Sequence, residues 1–387
     1  MTSGFGSYQA EIYLNGLAEQ VPAFTTDLAT LESVARGRME AGPFGYVCGG
    51  AGSGATLRAN REAFDRWRIV PRMLTDATTR DLRTTVLGTA MPAPVLLAPV
   101  GVQSILHPDG ELATARAAVA LGLPVILSTA ASNTIEDVAA ANANGARWYQ
   151  LYWPNDNDVT ISLLQRAKAA GYSTLVVTLD TWSVAWRPSD LDRSFLPFLR
   201  GEGTAIPYSD PAFLAGLESS PEEDPQSAIL RWIPMFTGTD KRWDQLPFLR
   251  EHWDGPIVLK GIQHVDDARK AHQAGMDGIV VSNHGGRQVD GAVGALDVLP
   301  EIVAAVGESL TVLFDSGVRT GADVLKALAL GARAVLIGRP FAYGLALGGE
   351  DGVRHAMRSL LADFDLAMGL SGHRNPAELS PSVLRRY

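Results

Sequence analysis

Eight short apolar runs, separated by segments rich in alanine and leucine, constrain the possible folds of this chain more than any other feature. The runs lie at 95–98, 125–127, 148–151, 175–179, 257–259, 279–281, 312–314 and 335–337. Such runs are typical of strands that are buried on both faces of a parallel sheet. Segments of helical composition lie between them, at 111–121, 135–143, 159–170, 265–274, 296–306 and 322–330. Glycine follows several of these segments, as it follows many helices.

Repeated strand–helix units predict a TIM (β/α)8 barrel of the α/β class. A doubly wound sheet is the alternative, but it would carry a GxGxxG motif after its first strand, and Gly101-Val102-Gln103-Ser104 is not such a motif. Barrels of about 200 to more than 400 residues form single domains. We therefore treat residues 1–387 as one domain, with an N-terminal helical segment at 1–90, the barrel at 94–345 and a C-terminal helix and tail at 346–387.

Two segments depart from the strand–helix rhythm. Residues 27–40 carry apolar side chains near helical spacing, so we expect a helix that ends at Gly42-Pro43, followed by a glycine-rich loop at 44–52 that approaches a ligand. The connection between the fourth and fifth strands, at about 188–245, is far longer than a helix and two turns require, and it is rich in proline. Because long connections in compact domains are often lids, we interpret it as a lid over the strand ends.

The composition limits the partners that this chain can have. Its net charge of −9 and its pI near 5.3 argue against a nucleic-acid partner. Cys48 is the only cysteine, which excludes an internal disulfide and a cysteine-rich metal site, and we expect no bound metal. The first residues do not resemble a signal peptide, and no apolar segment reaches the roughly 20 residues that span a bilayer. We therefore expect a soluble cytoplasmic protein without a membrane partner.

Polar side chains stand at the ends of most of the predicted strands, where a TIM barrel carries its functional residues. They are Ser128, Gln150, Tyr152, Thr178, Asp180, Lys260, His284, Arg287, Asp315, Arg319 and Arg339. Barrels often hold a phosphate in the loops after strands seven and eight, where backbone N–H groups and a helix N-terminus converge. We assign this role to Gly317, Arg319, Gly321, Gly338 and Arg339.

The most informative stretch is 278–291, GIVVSNHGGRQVDG, in which a buried strand leads directly into reactive side chains. His284 can take up a proton near neutral pH, and Arg287 offers a planar fork of donors to a carboxylate. Gly285-Gly286 allows a tight turn beside a ligand. A single histidine after a strand is commonly structural, but this combination is typical of an active-site strand end.

The string SNHGGRQ resembles the signature SNHGxRQ of the FMN-dependent alpha-hydroxy acid oxidase and dehydrogenase family, where it carries the catalytic histidine and a substrate-binding arginine. Other family strings match Tyr46, Gly50-Ala51 and 60–64, and the resemblance extends from about residue 23 to about 372. The family motif DGGVRxG matches 315–321, except that Ser316 replaces the commoner glycine and leaves the backbone less free.

The resemblance implies that the cofactor is FMN. It assigns contacts with the flavin ring to Pro99, Val100, Gly101, Ser128, Gln150, Thr178, Lys260 and Ser282. It assigns the FMN phosphate site to the motifs that include Asp315, Gly317, Arg319, Gly338 and Arg339. A cation at Lys260 would stabilise the anionic reduced flavin and raise its potential.

For a small 2-hydroxy acid substrate, the carboxylate would be bound by two arginines and two tyrosines, Arg187, Arg287, Tyr46 and Tyr152. His284 would then take the proton of the 2-hydroxyl group. Asp180 would orient the imidazole, stabilise its charged form and raise its pKa. We place Tyr152 and Lys260 beside His284 and Asp180 in the catalytic set.

Within the family, the strings at 181–188 and 196–201, the sequence Asp315-Ser316-Gly317 and the long lid resemble the L-lactate 2-monooxygenases. These convert L-lactate and O2 to acetate, CO2 and water, because pyruvate is retained and oxidatively decarboxylated in the site. Ala130 stands where glycolate-oxidising plant relatives carry tryptophan, so the pocket can accept more than a two-carbon acid. The family also implies a homotetramer or homo-octamer.

Alternatives remain open. A 2-hydroxy acid oxidase that releases keto acid and hydrogen peroxide would use the same residues. A dehydrogenase with another electron acceptor is less favoured, since the sequence shows no haem domain or membrane segment. An FMN-barrel isomerase would lack the pair of His284 and Arg287, and an IMP-dehydrogenase-like enzyme would need a catalytic cysteine loop that Cys48 cannot supply. A flavoprotein that only binds FMN is the non-enzymatic alternative.

Overall fold

The computed structural model describes residues 4–238 and 241–387. Eight parallel strands close into a barrel in chain order, which confirms the predicted fold. They are Val95–Leu97 (β1), Val125–Ser128 (β2), Arg147–Leu151 (β3), Leu175–Thr178 (β4), Ile257–Ile262 (β5), Gly278–Val281 (β6), Thr311–Phe314 (β7) and Val335–Ile337 (β8). Each of the eight apolar runs in the sequence forms one of these strands.

Helices follow the strands around the outside of the barrel. The six that were predicted are present as Gly110–Leu121, Ile135–Asn142, Asn157–Ala169, Val265–Gln273, Ala295–Val306 and Gly321–Ala329. Short 3-10 helices at Gln103–Ile105 and His284–Gly286 lie in the loops after β1 and β6. The Thr320 side chain accepts a hydrogen bond from the Asp323 N–H, so the helix after β7 starts at a defined residue close to the predicted phosphate loop.

Side chains alternate between the inside and the outside of the barrel along each strand. The inward-facing residues form one buried apolar cluster made of Leu96, Ile126, Trp148, Val176, Val258, Val280, Leu313 and Leu336, together with a few neighbours. Their outward-facing neighbours pack under the helices in a second and larger cluster. The barrel is therefore filled, and a ligand can bind only at its rim.

A two-stranded hairpin of Thr84–Val86 and Thr89–Met91 lies at the end of the barrel where the strands begin. Val86 and Met91 join the interior cluster, and the Trp148 Nε1–H donates a hydrogen bond of 2.9 Å to the Thr89 hydroxyl. The sequence analysis did not predict this hairpin. It leaves the opposite rim, where the strands end, as the place for a site.

The N-terminal segment holds four helices, Ser7–Gly16, Leu31–Arg36, Ala41–Cys48 and Ala55–Asp65, and the short strand Trp67–Ile69. Residues 1–3 of the predicted segment lie outside the described part of the chain. The expected helix at 27–40 is shorter than predicted. The prediction of a loop at 44–52 is wrong for residues 44–48, because the helix Ala41–Cys48 includes Gly42-Pro43 and continues through them, whereas no helix or strand covers 49–52. Pro43 lies in the first turn of that helix, where a missing N–H breaks no helical hydrogen bond.

The connection between β4 and β5 is folded over most of its length. Its helical pieces are Pro188–Leu191, Pro197–Arg200, Ala205–Tyr208, Pro211–Leu214, Pro225–Phe236, Trp243–Gln245 and Leu246–His252. Four of these helices begin with a proline at the first helical position, which explains why a proline-rich sequence was read as irregular. Residues 239 and 240 of the predicted lid lie outside the described residues.

The C-terminal region begins with the helix Arg339–Leu370, which starts before the predicted boundary at 346 and is kinked at Gly348 and Gly349. After two 3-10 turns at Pro376–Glu378 and Pro381–Val383, the strand Leu384–Arg386 pairs antiparallel with Trp67–Ile69. Among the helices of the described residues, none combines the length and the apolar character that crossing a membrane requires.

Candidate active site

A cavity opens at the end of the barrel where the strands finish, and most of the predicted site residues line it. They are Tyr46, Pro99, Val100, Gly101, Ser128, Tyr152, Arg187, Lys260, His284, Arg287, Asp315, Gly317, Arg319, Gly338 and Arg339. The structure therefore brings together residues that are spread over nearly 300 positions of the sequence. This convergence follows from the barrel, in which all eight strands end on one rim.

Four predicted residues lie behind or beside this wall. Gln150 accepts a hydrogen bond of 2.9 Å from the Ser128 hydroxyl. Ser282 accepts one of 3.1 Å from the Lys260 ammonium group. Thr178 and Asp180 line a second cavity that adjoins the first and shares Tyr152 with it.

His284 forms the central polar contact of the site with Asp180. Its Nδ1 lies 2.9 Å from Asp180 Oδ1 and 2.9 Å from the hydroxyl of Thr181, which itself donates to the same carboxylate oxygen. Asp180 is therefore close enough to His284 to orient its imidazole. Because Nδ1 is engaged in this way, Nε2 is the ring nitrogen that remains for a ligand.

The net pKa of His284 differs from the expectation. Burial lowers the pKa of His284 most strongly, and the charge of Asp180 raises it, while the charge of Lys260 lowers it further. The predicted effect of Asp180 is present, but burial outweighs it, so the pKa lies below the ordinary value of 6.5. At neutral pH the imidazole is thus uncharged and able to accept a proton.

Asp180 is ionised under the same conditions. Burial raises the pKa of Asp180, but the charges of His284 and Lys260 and two side-chain hydrogen bonds together bring it down to about 2. A charged carboxylate beside a neutral imidazole stabilises the imidazolium that forms when the ring takes up a proton.

Lys260 is buried and forms an ion pair with Asp315, with 3.3 Å between Nζ and Oδ2. Burial lowers the pKa of Lys260, but the charges of Asp315 and Asp180 outweigh this effect and raise it above its ordinary value. Lys260 therefore supplies a permanent positive charge to the floor of the cavity. It is the only side chain at the end of β5 that carries a charge.

Two guanidinium groups face the cavity near His284. Arg187 is buried, and its Nε donates a hydrogen bond of 2.9 Å to the backbone oxygen of Arg287. Burial, with repulsion from Arg287, lowers the pKa of Arg187 to about 10. The Arg287 guanidinium lies over the Tyr46 ring, 4.9 Å from its centroid. These two arginines with Tyr46 and Tyr152 form the set that was predicted to bind a carboxylate.

A second pair of guanidinium groups belongs to Arg319, in the loop after β7, and to Arg339, the first residue of the helix that follows β8. In the described structure their hydrogen bonds go to backbone carbonyl oxygens, including those of Val318, Val47 and Gly285. Burial lowers the pKa of both arginines, and that of Arg339 falls to about 10. A concentrated positive charge of this kind is suited to an anion such as a phosphate.

The cavity fits FMN by three observations. The Gln150 Nε2 amide is buried without a partner in the described residues, so it is free to bind a polar edge of a ring. A Cβ atom at Gly101 would lie 2.7 Å from the Ala130 carbonyl oxygen, so only glycine fits there, whereas a Cβ atom at Gly338 would lie no closer than 3.9 Å to any neighbour. Basic groups for a phosphate and a buried lysine stand at different parts of the same cavity.

Sequence reasoning missed several residues that hold this arrangement in place. Thr181 binds both His284 and Asp180. Gln288 donates to the backbone oxygens of Asp180 and Ser183, at 2.7 and 3.0 Å, and accepts from Arg187. Gln288 is part of the string SNHGGRQ, so the motif itself was the available signal, but its contacts depend on the folded loop after β4.

Asn60 was also missed as a supporting residue. Its amide and that of Asn283 exchange two hydrogen bonds, of 2.7 and 2.8 Å, and Asn60 is buried. The helix Ala55–Asp65 thereby holds the backbone just before His284. In the sequence, the string 60–64 is marked only by its resemblance to a family string.

Comparisons with known proteins agree with this geometry. A family model described as FMN-dependent dehydrogenase matches residues 35–386. The FMN-dependent alpha-hydroxy acid dehydrogenase qulF of Penicillium citrinum is 49% identical over 386 residues, which cover 99% of this chain and 96% of the relative. An L-lactate oxidase of Lysinibacillus sphaericus is 42% identical over 362 residues, 94% of this chain and 93% of the relative. A crystal structure of mandelate oxidase superimposes with a TM-score of 0.82 at 39% identity, over 94% of this chain and 99% of that one.

A barrel with these strand-end residues and these relatives defines a flavin-dependent oxidoreductase. The chain belongs to the FMN-dependent alpha-hydroxy acid dehydrogenase and oxidase family, and its cofactor is FMN.

Proposed function

We propose that this protein oxidises L-lactate with O2 to acetate, CO2 and water, as an L-lactate 2-monooxygenase. The observation that carries the proposal is the single cavity in which a neutral His284, two arginines free of carboxylate partners and a folded covering segment meet. When bound, FMN accepts the two electrons of the oxidation and passes them to O2. The chain's own residues bind the acid, take its proton and keep water out.

The carboxylate of the substrate binds to Arg187 and Arg287, with hydroxyl groups of Tyr46 and Tyr152 as further donors. Neither arginine forms an ion pair with a side chain of the described residues, and Arg187 is buried. A bound carboxylate therefore compensates a desolvated charge as well as orienting the acid.

His284 acts as the base for the 2-hydroxyl proton, through Nε2. Asp180, held at 2.9 Å from Nδ1, stabilises the imidazolium that results. Tyr152 and Lys260 complete the catalytic set. Lys260 does so through its fixed positive charge, which favours the negative charge of reduced FMN.

The phosphate of FMN is assigned to Arg319 and Arg339, together with the backbone of Asp315, Gly317 and Gly338. The flavin ring is assigned to Pro99, Val100, Gly101, Ser128, Gln150, Thr178, Lys260 and Ser282. The unpartnered Gln150 amide and the arginine pair after β7 and β8 support this placement.

Retention of pyruvate in the site is what separates a monooxygenase from an oxidase. The connection between β4 and β5 contributes Phe198, Trp232 and Phe236 to the cavity wall. It is held to the barrel by hydrogen bonds from the Ala205 N–H to the Ala131 oxygen, at 3.2 Å, and from the Asn155 N–H to the Met235 oxygen, at 3.0 Å. A covering segment fixed at several points favours slow release of the keto acid.

Oxidation of a larger, aryl-substituted 2-hydroxy acid with release of the keto acid is the second candidate. Ala130 leaves space in the wall, and the aromatic rings of Phe198, Trp232 and Phe236 border the same cavity. Mandelate oxidase is among the structural relatives.

Two measurements test the proposal. Anaerobic mixing with L-lactate should bleach the flavin absorbance, and the rate constant at saturation should exceed that obtained with (S)-mandelate. Aerobic turnover of L-lactate with excess catalase should give acetate as the main product. Catalase is needed because free hydrogen peroxide converts released pyruvate to acetate in solution.

Pyruvate that accumulates in the presence of catalase would make the protein an oxidase. Preference for mandelate would favour the second candidate. A flavin that stays oxidised with every 2-hydroxy acid would refute the assignment of the site.

A further inference from the structure

Ser316 has an unusual backbone conformation for a residue with a side chain. Its φ angle is +83°, in the region that favours glycine, and the next residue, Gly317, has a φ of +88°. Ser316 is buried and lines the cavity. The related motif usually carries glycine here, so a strained serine needs a compensating contact.

The Ser316 hydroxyl makes three hydrogen bonds, and all of them lead to the catalytic rim. It accepts from the N–H of Asn283 at 3.2 Å and from the N–H of Gly285 at 3.0 Å, the residues on either side of His284. It donates to Asp315 Oδ1 at 2.8 Å.

The loop that carries His284 is itself strained. His284, Gly285 and Gly286 have φ angles of +57°, +65° and +77° in succession. A histidine is seldom found at such an angle, so the loop needs outside contacts to stay in this conformation. Ser316 provides two of them, from the neighbouring strand end.

The same hydroxyl connects this loop with the buried lysine. Asp315 Oδ2 pairs with Lys260, Lys260 donates to Ser282 Oγ, and Ser282 Oγ accepts the N–H of His284 at 3.1 Å. The contacts therefore form a closed network, in which Ser316 links the His284 loop to Asp315, and Asp315 is linked back to that loop through Lys260 and Ser282.

We propose that Ser316 is a positioning residue that holds the His284 loop and the Lys260–Asp315 pair in register, a task that glycine at this position could not perform. The inference rests on the proposed role of His284 as the base. Ser316 itself takes no part in the proton transfer, because its hydroxyl is occupied by the three hydrogen bonds.

Two variants separate the hydroxyl from the backbone conformation. Ser316→Gly removes the hydroxyl and relieves the strain at φ +83°, whereas Ser316→Ala removes the hydroxyl and keeps the strain. Ser309 is the matched control, since it lies just before β7, is exposed, and among the described residues its hydroxyl donates a hydrogen bond only to the Val306 oxygen. Ser309→Ala should therefore behave like the original protein.

The first measurement is hydrogen exchange in the segment 282–287 of the protein without substrate. Both Ser316 variants should lose amide protection there by about tenfold, and Ser309→Ala should not.

The second measurement is the rate of anaerobic flavin reduction as a function of L-lactate concentration. Both Ser316 variants should lower the limiting rate by about tenfold, with the apparent dissociation constant for the acid changed by less than about threefold.

Thermal stability separates the loss of the hydroxyl from the relief of backbone strain. The glycine variant should be at least as stable as the alanine variant, although both lose protection and rate to a similar extent. If Ser316→Gly keeps the original protection and rate, the hydroxyl has no positioning role and the inference is wrong. If the alanine variant does not fold, the glycine variant carries the test alone.

Failure of the proposed function gives a different result. In that case the unaltered protein would not reduce its flavin with any 2-hydroxy acid, whereas the exchange measurement would still report on the Ser316 contacts.

Discussion

Replacement of Asp180 by asparagine is the sharpest test of the proposed acid–base chemistry. The carboxylate lies 2.9 Å from Nδ1 of a partly buried His284, and it is the largest influence that raises the pKa of that histidine. A hydrogen bond to a charged group contributes about 1.5–3 kcal/mol. If this energy stabilises the imidazolium in the transition state, its loss should slow flavin reduction by roughly 10- to 150-fold.

The pH dependence of Asp180→Asn has a defined sign. Flavin reduction requires a neutral His284, so the rate falls as the pH drops through its pKa, which lies below 6.5 in the unaltered protein. Burial and the charges of Lys260 and Arg187, which remain in the variant, all lower the pKa of His284. The acidic limb of the profile should therefore move to lower pH, while the plateau falls.

The assay should be anaerobic stopped-flow reduction of the flavin at saturating acid, because product release can mask a change in chemistry during steady-state turnover. Asp351→Asn, at an exposed carboxylate that lines neither cavity, is the control and should leave the plateau rate and the acidic limb unchanged. A plateau within about threefold of the original rate, or an acidic limb that moves upward, would refute the assignment of Asp180.

Three further substitutions test other parts of the site and fold. Arg287→Lys keeps the charge but loses the planar fork, so kcat/KM should fall by about tenfold or more, mainly through KM, in steady-state assays with L-lactate. Arg339→Met should weaken FMN binding to the apoprotein by about tenfold or more in a fluorescence titration. Arg333→Met, at an exposed arginine, is the control and should not weaken it. Burial raises the pKa of Glu111 from 4.5 to about 7, so stability that is present below pH 4.5 is lost as the pH rises to about 7. Glu111→Gln should lack this pH dependence in thermal unfolding, and at pH 8 it should be up to about 3 kcal/mol more stable than the unaltered protein. Equal stability of the two proteins at pH 8 would contradict the raised pKa of Glu111.

The barrel was predictable because its strands are specified locally. The run 279–281 is β-branched throughout and forms three of the four residues of β6. His264 and Gly294 are the N-caps of the helices on either side of this strand in the chain. The strand Trp67–Ile69 had no such signal, since its partner Leu384–Arg386 lies more than 300 residues away in the chain. A short edge pairing of this kind depends on the finished fold and cannot be read from the local sequence.

The site was predictable to the extent that it follows from the rim of the barrel. His284, Lys260 and Arg319 stand at strand ends, and parallel strands bring their ends together. In the sequence Ser316 is visible only as a departure from a glycine motif, because two of its three hydrogen bonds involve a loop more than 30 residues earlier in the chain. The net pKa of His284 was also beyond sequence reasoning, since it depends on how deeply the surrounding segments bury the ring.

The charge pattern of the cavity explains how an acidic protein can recruit two anions. Four arginines, Arg187, Arg287, Arg319 and Arg339, line one cavity, although the chain as a whole has a net charge of −9. In the described structure their hydrogen bonds go to backbone oxygens or to the Gln288 amide, so no carboxylate side chain neutralises them by direct contact. Burial lowers the pKa of Arg187 and of Arg339, and repulsion between the arginines lowers it further, so their charged forms are less favourable in the cavity than in water. The phosphate of FMN at one end of the cavity and the carboxylate of a 2-hydroxy acid at the other would each compensate part of this unfavourable buried charge. Binding of either ligand should therefore increase the free energy of unfolding of the protein.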